Sequence, residues 1–284
     1  MPQISEASNE SEKGRDEVDD TESKYKTDED RLFPVPEHPS HDRVWTVQTS
    51  KLSIVIPSIG RGSLSMLIDS LERHGVDWIH EIIVVLDPAF SQTSSYSHGD
   101  SRRLPLLFVN SPGPGVNRAR NYGGELAQSA SIALLEDDVE LESPHFFEET
   151  ARLFRRPTVV AVGGDYGTAD GTDLWGRGYN ALCSLWRASA GQGSAVMLLG
   201  GCMVVRRDAW TAAGGFDDNI VYGGSEAGLI CDLRSAHGEV VYSPRMRVTH
   251  RTHGRGLGRW LWVAFRQGCA KKQTSSQLPT FWRR

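Results

Sequence analysis

Three consecutive carboxylates, Glu136-Asp137-Asp138, end a short apolar run from Ile132 to Leu135. The run reads as a buried strand. Carboxylates crowded at a strand end repel one another, and burying them without a counter-charge is costly. Two chemistries fit. A solvated acidic turn would leave the triplet in water. A hard-cation site would use the same oxygens as ligands, at the strand edge where open α/β sheets bind ligands. Asp87 ends a second apolar run, Ile82 to Leu86, and so falls on the same sheet edge. Pro88 follows it, so Asp87 could equally serve to form a turn.

The elements that must position these residues can be read from periodicity. Leu52 to Ile56 is a strand closed by Pro57. Leu64, Leu67, Ile68 and Leu71 recur at helical spacing, which predicts a helix over 63–74 with Ser63 near its cap. Ile82 to Leu86 is the next strand, 91–103 a polar loop and Leu104 to Val109 a third strand. The turn Ser111-Pro-Gly-Pro-Gly115 leads into a helix over 116–129, and the carboxylate-bearing strand follows. A helix over 144–155 has Ser143 as its cap, and Val159 to Val162 is a strand. The stretch 163–193 is Gly-rich and holds Trp175, Tyr179 and Trp186. An apolar stretch over 197–205 is broken by Gly200-Gly201. A short helix over 208–213, the turn 214–218, a helix over 225–237 capped by Ser225 and the strand 239–242 follow. His250 and His253 fall in a loop, and 257–267 is a last helix. Strands alternating with helices predict an α/β fold, a mostly parallel sheet flanked by helices. The segment after the first strand, Pro57-Ser-Ile-Gly-Arg-Gly62, is neither a dinucleotide fingerprint nor a P-loop.

Composition sets the surroundings. The formal net charge is -5 over 284 residues, but it is unevenly placed. Residues 1–30 carry eleven acidic and four basic side chains, whereas no acidic residue follows Glu239 and ten Lys/Arg do. The head, 1–43, lacks periodic apolar residues and is expected to be a disordered acidic tail. A single domain over 44–255 follows, then a basic amphipathic helix and tail over 256–284. That last segment could be a lid over phosphates or a helix packed on the domain or a second subunit. It could also rest on an anionic membrane surface through Trp260, Trp262 and Phe265. No run is apolar enough to span a bilayer, the start is too polar for a secretory leader, and the four cysteines lack metal or redox spacing. The expectation is a cytoplasmic protein, peripheral at the inner face of a membrane if the basic segment binds lipid. No nucleic-acid motif accompanies the basic tail, and an oligomer is allowed.

The ordered series of motifs resembles the inverting family 2 glycosyltransferases. The matching residues are Ile54-Val-Ile-Pro-Ser58 with Arg61, Ile83-Val-Val-Leu-Asp87, Arg118-Ala-Arg-Asn-Tyr-Gly123 and Leu135-Glu-Asp-Asp138. They continue as Gly200-Gly-Cys-Met-Val-Val-Arg-Arg207, Gly214-Gly-Phe-Asp217, Ser225-Glu226 and Val248-Thr-His250. Each is weak alone; their order and spacing over about residues 50–253 carry the resemblance.

The resemblance implies a Rossmann-like GT-A fold and transfer of a sugar, with inversion, from a nucleotide diphosphate donor. A UDP-sugar is expected, and the acceptor (glycan, lipid-linked or peptide) is open. It implies Mn2+ or Mg2+, with Asp138 as main ligand and His250 completing the site or touching the diphosphate. Glu136 stands where the family usually has Asp; Glu136 or Asp137 would support the metal or the ribose. Asp87 would meet the base or ribose. Pro57, Ser58 and Arg61 would border the crevice, Arg120 would meet the nucleotide, and Arg118 and His253 are weaker candidates. Trp175, Tyr179 and Trp186 could stack on sugar rings or pack locally. The catalytic base would be Glu226, with Asp217 in reserve. Ala227 stands where the family commonly has a second acid. Two other functions share such a sheet: a non-catalytic nucleotide-sugar-binding module and a nucleotidyltransferase.

Overall fold

Alternation along the strands decides which faces of the central sheet are covered. In the computed structural model, residues 51–90, 103–188, 193–194, 197–220, 225–236, 238–251, 257, 258, 261 and 265 are described. In chain order the elements are β1 (Leu52–Ser58), α1 (Ser63–His74), β2 (Ile79–Leu86), β3 (Leu106–Asn110), α2 (Val116–Leu126), β4 (Ser131–Leu135), β5 (Val139–Glu140), α3 (His145–Leu153) and β6 (Val159–Gly163). They continue with β7 (Tyr166–Thr168), α4 (Leu174–Ala188), β8 (Gly193–Ser194), β9 (Cys202–Arg206), α5 (Arg207–Ala213), α6 (Glu226–Ser235), β10 (Glu239–Tyr242) and β11 (Val248–His250). The acidic head lies outside the described residues, as do His253, Trp260, Trp262 and most of the basic tail. Leu257, Leu261 and Phe265 are described there and are exposed.

Eight strands form the main sheet in the order β3-β2-β1-β4-β9-β6-β10-β8. The pairs within β3-β2-β1-β4 are parallel, β9 runs antiparallel to both β4 and β6, and β10 returns parallel to β6. Because β1, β2 and β4 are covered on both sides, they are apolar at most positions. Ile54, Ile56, Ile82 and Val84 join one core with Leu64, Leu67, Leu71, Phe146 and Phe147 of α1 and α3. Val55, Ile83 and Val85 join the other with Ala119, Trp210, Leu229 and Leu233 of α2, α5 and α6. A second sheet of three short strands, β5-β11-β7, carries Tyr166 and His250.

The structure corrects several local expectations. Pro57 does not close β1, which stays extended and paired with β2 through Ser58; pairing with β4 ends at Val55. A residue without an N–H is therefore tolerated there. The Gly-rich stretch contains β7 and the fifteen-residue α4. His250 is the last residue of β11 and not a loop residue. Ser63 and Ser225 are not side-chain caps: Gly62 precedes α1, and the Ser225 hydroxyl donates to Asn117 Oδ1 at 2.9 Å.

A carboxylate paired within α3 also ties that helix to the turn after β10. The buried Glu149 carboxylate accepts from Arg152 Nε and Nη2 at 2.8 and 2.9 Å and from Ser243 Oγ at 2.6 Å. The bonds from Arg152, with the Ser243 bond beside them, hold its pKa below the ordinary value of 4.5 despite burial. The fold therefore favours the charged form. This contribution is complete above the ordinary carboxylate range and is lost as pH falls through the depressed folded value. Glu149→Gln should lower stability at pH 7 by about 1.5–3 kcal/mol. It should also flatten the acid limb of the urea midpoint measured against pH. A limb parallel to that of the wild type would show that the carboxylate charge contributes nothing.

Candidate functional site

The carboxylates leave β4 at the carboxyl ends of the parallel strands. Asp137 turns toward β1. Its Oδ2 accepts from Ser58 Oγ at 2.7 Å and Ile59 N at 3.3 Å, and its Oδ1 from Arg61 Nη1 at 2.8 Å. Arg61 Nη1 also donates to Asp138 Oδ2 at 2.7 Å. Burial raises the Asp137 pKa, opposed by Arg61 and Ser58. Burial alone would lower that of Arg61, but the carboxylates of Asp137, Asp138 and Glu136 outweigh it and hold it raised. One guanidinium thus serves as the counter-charge for two neighbouring acids.

Glu136 and Asp138 turn the other way, toward His250. The short sheet brings the imidazole there: His250 lies opposite Val139 of β5 and Thr168 of β7, and Arg251 N donates to Asp138 O at 2.7 Å. His250 Nε2 lies 3.3 Å from Asp138 Oδ1 and 3.8 Å from Glu136 Oε2. One ligand atom from each of Glu136, Asp138 and His250 falls within 4.8 Å of the others, a spacing that could hold a metal ion. Two carboxylate oxygens and one imidazole nitrogen suit a hard to borderline divalent cation such as Mn2+.

Side chains that sequence reasoning missed complete this cluster. Tyr166 donates to Glu136 Oε2 at 3.0 Å, and its ring stacks on His250 with centroids 4.5 Å apart. Burial, and then the charge of Glu136, raises its pKa well above the ordinary phenol value, so Tyr166 remains a donor. Burial and the neighbouring Asp138 raise the Glu136 pKa, while His250, Arg120 and Tyr166 oppose them. Asn180 of α4 lies against the far nitrogen of His250, Nδ1, at 3.0 Å. Tyr179 sits 6.0 Å from the same ring, tilted, and Trp175 is partly exposed one turn earlier on α4. Trp175 and Tyr179 stand out in the sequence as aromatics of a Gly-rich stretch, but the helix that carries them does not.

Arg120 connects this cluster to Glu226. It is 1% exposed, with Nη2 3.4 Å from Glu136 Oε1 and Nη1 3.3 Å from Glu226 Oε1. Its guanidinium lies 5.0 Å from the Phe216 ring centroid. Gly200 and Gly201 make room for this arrangement. A Cβ at Gly200 would come within 2.6 Å of both Glu226 Oε1 and Arg120 Nη1, and one at Gly201 would lie 2.5 Å from Glu136 Cγ and from the Tyr166 hydroxyl.

Two asparagines one turn apart on α2 hold the segment before Glu226. Asn117 donates to the carbonyls of Asp217 at 3.2 Å and Ile220 at 2.5 Å. Asn121 accepts from Phe216 N at 2.9 Å and donates to its carbonyl at 2.8 Å. The Asp217 carboxylate serves its own turn, with Oδ1 accepting from Asn219 N and Nδ2 at 2.9 Å. Asp87 likewise binds backbone, accepting from Ala89 N at 3.0 Å and from Gly115 N, at the start of α2, at 3.1 Å. Arg118 reaches the exposed Asp218 at 3.5 Å. Ser58, Arg61, Arg120, Glu136, Asp137, Asp138, His250 and Glu226 thus form one connected set. Asp87 and Asp217 occupy flanking turns.

Several solved structures that superpose on this arrangement of strands and helices are glycosyltransferases. The mannosyltransferase PcManGT from Pyrobaculum calidifontis, in complex with GDP-Man and Mn2+, superposes with a TM-score of 0.62 at 16% identity, over 84% of this chain and 69% of that one. The fold is GT-A. S. aureus TarS 1–349 superposes with a TM-score of 0.56 at 11% identity, over 70% of this chain and 60% of that one. GalNAc-T7 with UDP, GalNAc and Mn2+ gives 0.54 at 15% identity, over 76% of this chain and 48% of that one. This chain therefore spans less than two thirds of the length of the latter two. Neither a family model nor a curated protein sequence matches the chain.

The close approach at Gly201 generates a prediction. Gly201→Ala must displace Glu136 or Tyr166, at a cost of about 1–3 kcal/mol for an overpacked site. The variant should stay folded by circular dichroism, melt at lower temperature and bind Mn2+ more weakly. An unchanged Mn2+ titration would show that Gly201 is not required to keep Glu136 within reach of an ion.

Proposed function

We propose that this chain transfers a sugar, with inversion, from a nucleotide diphosphate donor to a nucleophilic acceptor, assisted by Mn2+. The observation that carries the reading is the cluster Glu136, Asp138 and His250 at the carboxyl edge of parallel strands. The GT-A fold supports it, as do the Mn2+ complexes of PcManGT and GalNAc-T7. A uridine donor is favoured, since TarS and GalNAc-T7 are seen with UDP-GlcNAc and UDP. The imidazole in the donor set makes Mg2+, which prefers oxygen ligands in strict octahedral geometry, the poorer fit.

In this reading Glu136, Asp138 and His250 hold the cation. Held there, a divalent ion would supply positive charge to offset that of the departing diphosphate. Arg61 neutralises Asp137 and the remaining oxygen of Asp138, and Pro57, Ser58 and Asp87 border the nucleotide. The acceptor O–H attacks the anomeric carbon as the bond to the diphosphate oxygen breaks. Glu226 takes the proton as general base. Arg120 fixes the Glu226 carboxylate relative to Glu136, at 3.3 and 3.4 Å. The engagement of Asp217 with its own turn favours Glu226 over it as base.

Two substitutions test the reading. Asp138→Asn should abolish Mn2+-dependent binding of UDP in calorimetry while leaving Tm unchanged or higher, because one of three like charges is gone. Undiminished Mn2+-dependent affinity would refute the metal assignment. Glu226→Gln should slow transfer by about 10²–10⁴-fold, with UDP affinity and Tm retained. Near wild-type turnover would remove Glu226 from the base role, and a non-catalytic module would show neither transfer nor donor hydrolysis in the wild type.

A further inference from the structure

We propose that Asn180 is a positioning residue that keeps the proton of His250 on Nδ1 and so presents an unprotonated Nε2 to Glu136 and Asp138. The inference deepens the proposed function and rests on it for its use of the metal. Asn180 is 2% exposed, on the helix α4 that packs against β7. Its Nδ2 donates to the Gly167 carbonyl and to Thr168 Oγ1, both at 3.2 Å. Reversing the amide would aim its oxygen at the Gly167 carbonyl, acceptor against acceptor. Backbone thus fixes the amide orientation, and Oδ1 is the atom that faces His250 Nδ1 at 3.0 Å. An amide oxygen only accepts, so Nδ1 must carry the hydrogen.

The consequence appears at the other side of the ring. Histidine in water favours the neutral tautomer with its proton on Nε2. In this site that tautomer would aim an N–H at Asp138 Oδ1, 3.3 Å away, and hydrogen-bond it. The same nitrogen could then not ligate a cation. Asn180 selects against that state, and the Tyr166 stack, with an interplanar angle of 19°, holds the ring plane. Both partners are placed by β7, whose Gly167 pairs with Thr249 beside His250. The device thus belongs to the short sheet and α4 and not to the strand that bears the carboxylates.

The test uses the full chain, metal-free and ¹⁵N-labelled, at a pH where the ¹⁵N shifts of His250 show the ring to be neutral. Two-bond ¹H–¹⁵N correlations of His250 should show Nδ1 protonated and Nε2 bare. An Nε2–H signature in the wild type would overturn the proposal whatever its metal affinity. Asn180→Ala should move the ring toward the Nε2–H tautomer and weaken Mn2+ binding, read by electron paramagnetic resonance, by about 10–100-fold. An Asn180→Ala variant that keeps the proton on Nδ1, or binds Mn2+ as tightly as the wild type, would overturn it. If the wild type binds no Mn2+, the metal reading fails by itself, and the metal-free spectrum alone decides Asn180.

Discussion

Three carboxylates at one strand end must be kept together against their mutual repulsion, and much of the structure answers to that constraint. Counter-charge arrives from three places in the chain: Arg61 after β1, Arg120 on α2 and His250 at the end of β11. Each faces a different part of the triplet. Arg61 holds Asp137 and one side of Asp138, Arg120 holds the outer oxygen of Glu136, and His250 approaches Glu136 and Asp138 from the opposite side. The balance is incomplete, since burial still raises the pKa values of Glu136 and Asp137. Three ligand atoms converging in such a site could hold a cation.

The same constraint accounts for the small residues around it. The extra methylene of Glu136 needs space that a side chain at position 201 would fill, and the buried guanidinium of Arg120 needs the space at position 200. Asn117 and Asn121 use their amides to hold the turn that leads to Glu226. Repulsion at the triplet is therefore countered by a set of hydrogen bonds that extends onto α2 and α6.

The parts of this arrangement legible in the sequence were those with a strong local signal. Strands such as Ile82 to Leu86 are apolar at every position because both faces are covered, and α1 shows its buried stripe at Leu64, Leu67, Ile68 and Leu71. The triplet announced itself by charge. The short sheet did not: two- and three-residue strands are too brief to show a period, and Val248-Thr-His250 looks like loop. Helix α4 was hidden by Gly176 and Gly178, which weaken helix propensity. Tyr166 and Asn180 carried no signal of their own, because their roles exist only once β7 and α4 are folded against β11. Ser225 looked like a cap by residue type, yet tertiary contact with Asn117 claims its hydroxyl.

The brevity of β11 has an evolutionary consequence. Its register is keyed on both sides of His250: Thr249 bonds Glu142, and Arg251 Nε donates to Glu140 Oε2 at 3.0 Å. Side chains alternate along a strand, so a one-residue insertion or deletion between these keys would send the imidazole to the opposite face. Surface loops elsewhere can drift in length without chemical effect. At this strand, a change in length would be a change in chemistry. Lineages diverging from this chain are thus freer to substitute residues around β11 than to change its spacing.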